Sequence, residues 1–245
     1  MEPVAEFRVL LGIDLIESAR TPAHHLAELP KVLSRLLVAA LERVGIGEAA
    51  VIDRQYTGDG WLLAFPSALL GAVVDLSRHL DELAAEHNRW QKPEVRMRIA
   101  VEIGPLPAEP GFYQANISRG RLLDAQVFKG VVRRCSDERP DGSLTSGLIL
   151  SDYVFRTVFG GDYTQRVRRT EFAPVRVSNK EYEVAAWVAV PGFDVQSLAR
   201  MVDGDPAQPL VEPQVAEVGV VNNHITGDNK GVQAHTIHGG VSFGR

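Results

Sequence analysis

From residue 7 to residue 16 the chain reads FRVLLGIDLI, a near-continuous apolar run of strand length with one carboxylate, Asp14, near its end. An unbroken apolar run predicts a strand buried on both faces. Residues 22–44 switch to helical spacing, with Leu26, Leu29, Val32, Leu33, Leu36, Leu37, Ala40 and Leu41 on one side. Pro30 predicts a kink or a restart in that helix, and Gly45 and Gly47 a stop. Residues 49–66 predict two strands around Thr57-Gly58-Asp59-Gly60, because Gly beside Asp between apolar runs marks a hairpin.

Helical periodicity returns over residues 67–90, and residues 94–103 alternate like a strand with Val95, Met97, Ile99, Val101 and Ile103 on one face. A Pro/Gly-rich stretch precedes a helix expected from Asn116 to about Arg134. A short strand (148–150), a cap at Ser151 or Asp152, a short helix closed by Gly160-Gly161 and two more strands (within 165–190) complete the pattern. The order is β α ββ α β α β α ββ, an α/β pattern with a hairpin inside it.

After Pro191 the character changes. Residues 192–218 read as a linker rich in Pro and acid, and residues 219–245 as a polar, Gly-rich tail with spaced Ile and Val. The domain expected to carry function is therefore residues 5–191.

The whole chain has 245 residues, enough for one good-sized domain plus extras. Its 45% hydrophobic and 23% charged residues exclude wholesale disorder. Twenty-six Lys+Arg against 31 Asp+Glu leave a net charge of −5, which gives no overall attraction for nucleic acid. One cysteine, Cys135, excludes an internal disulfide framework and a thiolate zinc site and fits a reducing cytoplasm. No apolar run reaches the roughly 18 residues of a membrane span, and the start lacks a basic secretion-signal region.

The candidate chemistry lies in Asp14, at the end of an apolar strand, and Asp59, at a hairpin tip. If their strands are adjacent, the carboxylates converge as a hard-oxygen site for Mg²⁺ or Mn²⁺, the pairing that triphosphate chemistry needs. Taken singly, Asp59 reads equally as a turn residue and Asp14 as a strand-end residue facing water.

FRVLLGIDLIESAR followed by YTGDGWLLAF resembles the catalytic core of class III nucleotide cyclases. The likeness continues through VRMRIAVEIG, RGRLLDA, GLILSDYVF and RRTEFAPVRV, so that it covers roughly residues 5–190. The resemblance implies a ferredoxin-type sheet flanked by helices, and two metal ions held by Asp14, Asp59 and the backbone carbonyl of Leu15. It implies attack of the ribose 3′-hydroxyl on the α-phosphate, with pyrophosphate released. For the family's transition-state Asn and Arg the nearest matches are Asn116 and Arg121, with Arg119 as competitor. Arg98 and Arg169 are the matches on the nucleotide side, Arg169 standing where the family has a phosphate-binding lysine. Because the family draws the metal pair and the Asn/Arg pair from opposite subunits, the resemblance also implies a homodimer.

Three departures bear on the base. Where adenylate cyclases have a base-reading Lys and guanylate cyclases a Glu, this chain has Gln55, flanked by Tyr56. The second purine-reading residue has no counterpart, and Asn116 and Arg121 are five apart where four is usual. A short divergent cyclase of this kind is similar to the pyrimidine cyclases of Pycsar anti-phage systems, which make cyclic UMP or cyclic CMP. In that reading Tyr56 disfavours a purine and stacks on a pyrimidine, with UTP ahead of CTP. Two alternatives stand beside it: a purine (adenylate) cyclase, and a nucleotide-binding or adaptor module without turnover.

GDNKGVQAHTIHGGVSFG resembles bacterial amyloid-signalling motifs, which pair with a matching segment in a protein partner; a disordered tail or a docked strand is the competing reading. His224, His235 and His238 share no helix face and no Cys joins them, and His24-His25 reads as a solvated helix face.

Overall fold

A computed structural model of the chain describes residues 5–16, 22–107, 113–139, 141–179 and 182–203. Its elements are β1 (Phe7–Leu15), α1 (Ala23–Leu26), α2 (Leu29–Arg43), β2 (Asp53–Tyr56), β3 (Gly60–Pro66), α3 (Leu70–Trp90), β4 (Met97–Pro105), α4 (Gln114–Asp124), α5 (Gln126–Glu138), β5 (Ser146–Ser151), α6 (Asp152–Gly160), β6 (Ala173–Asn179), β7 (Tyr182–Ala189) and α7 (Val195–Asp203). Pro30 falls at the start of α2, where its missing N–H costs nothing, and restarts the helix.

The seven strands form one sheet in the order β2-β3-β1-β4-β5-β7-β6. The first four make a ferredoxin-type half in which β1 lies antiparallel between β3 and β4. This is where the apolar run belongs: a strand with neighbours on both edges and helices on both faces has no side in water. Strand β5 runs parallel to β4, which requires a crossover, and α4 and α5 supply it.

One face of the sheet carries Val9, Leu11, Ile13, Leu63, Phe65, Ile99 and Val101 and packs under α2, α3 and α6. The other face carries Leu10, Ala64, Ala100, Ile149 and Val188 and packs under α4, α5 and α7. Because side chains alternate along a strand, Gly12 and Asp14 share the face of Leu10 and so belong to the α4 side.

Two expected boundaries move. The helix expected from Asn116 to Arg134 is two helices, broken at Ala125, whose ψ of 126° leaves the helical region while its side chain stays buried. The linker expected from residue 192 starts instead with α7. Leu198 and Met201 bury themselves against α5 and β6, and the Asp194 carboxylate accepts from the N–H groups of Gln196 and Ser197. An N-terminal carboxylate cap and an i, i+3 apolar pair are enough to make a helix of this segment. The rest of the linker and the tail, residues 204–245, lie outside the described residues, and so do the readings placed on them.

Candidate functional site

Asp14 is the next-to-last residue of β1, directly opposite Gly60 of β3 and Arg98 of β4. Arg98 Nη2 donates to Asp14 Oδ2, and both side chains are largely buried, 16% and 17% exposed. The Asp14 carboxyl is nevertheless held above the usual carboxylate range. Burial raises it most, Arg98 pulls it back, and the neighbouring Asp59 carboxylate pushes it up again.

Asp59 sits in the turn between β2 and β3, exposed, with its own backbone carbonyl accepting from the Leu15 N–H at 3.0 Å. That bond ties the hairpin tip to the end of β1. It brings Asp59, distant in sequence, to the strand end that carries Asp14, where its negative charge raises the Asp14 carboxyl. A side chain at Gly60 would place its Cβ on top of the Ile13 carbonyl oxygen, so only glycine allows this approach.

Two carboxylates against one guanidinium leave a local excess of negative charge at a partly open strand end. The donors are hard oxygens, one buried and one exposed, and they fit Mg²⁺ or Mn²⁺. Asp14 and Asp59 would hold such an ion; the Leu15 amide is fixed by Asp59 and its side chain is anchored in the core. Among the described residues no cluster of three or more His, Cys, Asp and Glu side chains is grouped to hold a metal.

On β2, Gln55 pairs with Leu62 and Asp53 with Ala64, and Ala64 packs on the α4 side. Gln55 and Asp53 therefore share the face of Asp14. Tyr56 does not. It lies on the opposite face, its ring centroid 5.2 Å from that of Trp61, with its hydroxyl donating to the Gly58 carbonyl. Alternation along the strand puts neighbours on opposite faces, so the expected stacking of Tyr56 on a base beside Gln55 is not what the structure brings about.

Helix α4 crosses β1 and β4 with Ala115, Arg119 and Leu122 as its buried stripe. A guanidinium thus occupies a core position. Arg119 is 6% exposed and its aliphatic stem covers Gly12, where an added Cβ would stand 3.3 Å from Arg119 Cδ. Among the described residues its Nε has no hydrogen-bond partner; burial pushes its pKa down to about 10, and the Asp53 charge offsets this in part. At about 100° per residue, Asn116 and Arg119 lie on one side of α4, whereas Asn116 and Arg121 point about 140° apart.

Arg169 lies in a short turn, residues 169–171, near the far sheet edge, with its guanidinium 5.7 Å from the Phe155 ring centroid. One protomer does not bring it to Asp14. The loop that carries it is held by the buried Asp75, whose carboxylate accepts from the backbone N–H groups of Gln165, Arg166 and Val167 at 2.6–2.9 Å. The sequence reading passed over Asp53, although its spacing of two from Gln55 was the available signal. It also gave Arg98 to the nucleotide, whereas the structure commits Arg98 Nη2 to Asp14.

No protein-family model and no curated protein matches the chain. Solved structures do match. An adenylate/guanylate cyclase/hydrolase from Silicibacter pomeroyi is 16% identical, over 76% of this chain and 97% of that one, with a TM-score of 0.51. A bacterial light-regulated adenylyl cyclase is 12% identical, over 83% of this chain and 58% of that one, with a TM-score of 0.51. A non-canonical dimeric guanylyl cyclase domain of the RhoGC fusion protein from Blastocladiella emersonii is 11% identical, over 77% and 98%, with a TM-score of 0.50. The fold is that of class III nucleotide cyclase domains. No helix among the described residues is long and apolar enough to cross a membrane.

Proposed function

We propose that the chain is a nucleotide cyclase that converts a pyrimidine nucleoside triphosphate, UTP before CTP, into its 3′,5′-cyclic monophosphate. The meeting of Asp14 and Asp59 at one end of β1, on a cyclase fold, carries this reading. A buried carboxylate beside a second one is costly unless a cation serves both, and a triphosphate brings the matching negative charge.

In the reaction the ribose 3′-oxygen forms a bond to the α-phosphorus and the bond from that phosphorus to the bridging oxygen of the β-phosphate breaks. Pyrophosphate leaves and the 3′-hydroxyl proton passes to solvent. Divalent ions bound between Asp14 and Asp59, two per site in the family this chain resembles, would acidify that hydroxyl and take up charge on the leaving phosphate. Arg98 holds Asp14 in place between β1 and β4. A second copy of the chain, in a homodimer, would contribute Asn116, Arg121 and Arg169 to the phosphates. Arg119, pinned beneath α4 on its own β1, stays within its own protomer. The resemblance to Pycsar cyclases makes the cyclic product an anti-phage signal read by a separate effector.

The test is incubation of the full chain with ATP, GTP, CTP or UTP and Mn²⁺, with products identified by mass spectrometry. A cyclic pyrimidine monophosphate that disappears in both Asp14→Asn and Asp59→Asn is the expected result. Turnover that survives either substitution removes the metal assignment. A second reading, a nucleotide-binding module without turnover, is favoured by the engagement of Asp14 with Arg98; it predicts triphosphate binding with no product.

A further inference from the structure

Two acids of this chain are held in different ways. Asp75 is fixed by the backbone: its two carboxylate oxygens accept from the N–H groups of Gln165, Arg166 and Val167. Asp14 is held by a side chain. Among the described residues its carboxylate accepts from no backbone N–H, and the bond it receives is the one from Arg98 Nη2 to Oδ2. Arg98 is incompletely used in return, since its buried Nε has no hydrogen-bond partner among the described residues. An arginine that locks a carboxylate permanently presents a two-pronged contact with its donors satisfied. This pair is largely buried yet single-pronged, which is the form of a contact that can be exchanged.

Charge makes such an exchange directional. Asp14, Asp59 and Arg98 together carry one net negative charge at the end of β1. A divalent ion added to all three reverses that sign, in a place where burial penalises any excess charge. A triphosphate, more negative than the carboxylate pair, restores the sign and offers the guanidinium another anion.

We infer that Arg98 is a built-in counter-ion, standing on Asp14 in the ion-free chain and giving up Oδ2 only when a divalent ion and a triphosphate arrive together. This role rests on the nucleotide-cyclase reading and adds an order of events to it. Metal and nucleotide bind as one coupled unit, and the chain by itself holds metal weakly. Arg98 is a positioning residue that acts through Asp14: it keeps the carboxylate aimed until an ion takes its place. The ion pair of the free chain is then an idle state of a cyclase and not the mark of a module without turnover.

The test measures Mn²⁺ binding to the full chain through the electron-spin-resonance signal of the free ion. Arg98→Gln should bind Mn²⁺ about tenfold to a hundredfold more tightly than the wild type, because a positive charge beside the ion is gone. Arg98→Lys, which keeps that charge, should stay close to the wild type. Inorganic tripolyphosphate, which has no ribose to react, should tighten Mn²⁺ binding in the wild type and do so less in Arg98→Gln, once the ion it holds by itself is subtracted. A folded Arg98→Gln that binds Mn²⁺ no better than the wild type overturns the inference. So does one that binds it more weakly, the result expected of an arginine that only shapes the site. Should Arg98→Gln not fold by itself, its melting temperature is followed as Mn²⁺ is added: recovery by the ion sustains the exchange, and no recovery ends it. Adding Asp59→Asn to Arg98→Gln separates the two ideas. Mn²⁺ binding unchanged in that double variant ends the metal assignment and the inference together, whereas failure of the inference alone leaves the dependence on Asp59 intact.

Discussion

Asp14 and Arg98 face each other across β1 and β4, in register, as a largely buried ion pair at the end where Asp59 arrives from the hairpin. Arg98 therefore holds together a charge arrangement that the strand end would not otherwise tolerate. Replacing it by methionine leaves Asp14 buried beside Asp59 with no counter-charge. Arg98→Met should lose about 2 kcal/mol of stability, measured by urea unfolding with the slope unchanged.

Divalent cations should stabilise the protein through the same carboxylates. At about a hundredfold excess over the dissociation constant, binding contributes about 2.7 kcal/mol, or about 5 °C in melting temperature for a chain of this size. Asp59→Asn removes one ligand and, being exposed, should leave the fold unharmed while abolishing the Mn²⁺-induced shift. A full shift in that variant would place the ion elsewhere.

Glu102 gives a pH signature away from the metal pair. Its buried carboxylate accepts from Ser151 Oγ at 2.7 Å and the Ile103 N–H at 2.9 Å but meets no cation among the described residues, and burial raises its pKa. A raised native pKa means that its stability contribution is complete in acid and is lost as the pH rises through that value. Glu102→Gln keeps the acceptor oxygen without the charge. It should be about 1 kcal/mol more stable than wild type at pH 8, with the advantage vanishing toward pH 4.

Asp75 should be a large stability determinant. Removing its carboxylate in Asp75→Ala strands three backbone N–H groups of the segment before Arg169. The expected loss is about 3 kcal/mol, together with faster hydrogen exchange at residues 165–167.

Two glycines on adjoining strands should differ sharply. Gly60→Ala drives a Cβ into the Ile13 carbonyl and should cost about 3 kcal/mol or prevent folding. Gly12→Ala meets only the flexible Arg119 and Leu123 side chains, at 3.3 and 3.4 Å, and should cost about 1 kcal/mol.

Much of this architecture was legible beforehand because its signals are local. The apolar run of β1, the Gly-Asp turn before β3 and the heptad-like stripe of α2 each follow from spacing over a few residues. The break at Ala125 was not legible, since alanine is the best helix former and it is the packing of α4 on β1 and of α5 on β5 that separates the two helices. The start of α7 was masked by an acidic, proline-rich context that begins just beyond it. The face of Tyr56 was misjudged because a residue next to Gln55 in sequence is on the other side of a strand.

By itself the sequence determined the order of the seven strands, most of the helices between them and the placing of Asp14 and Asp59 at element ends, because periodicity and turn chemistry act between near neighbours. Only the tertiary structure decided that β1 lies between β3 and β4, which brings Asp59 and Arg98 to Asp14 and seats Arg119 over Gly12. Those relationships depend on strand register and on which helix covers which face. Both are set by the burial of the whole sheet at once, not by any segment alone.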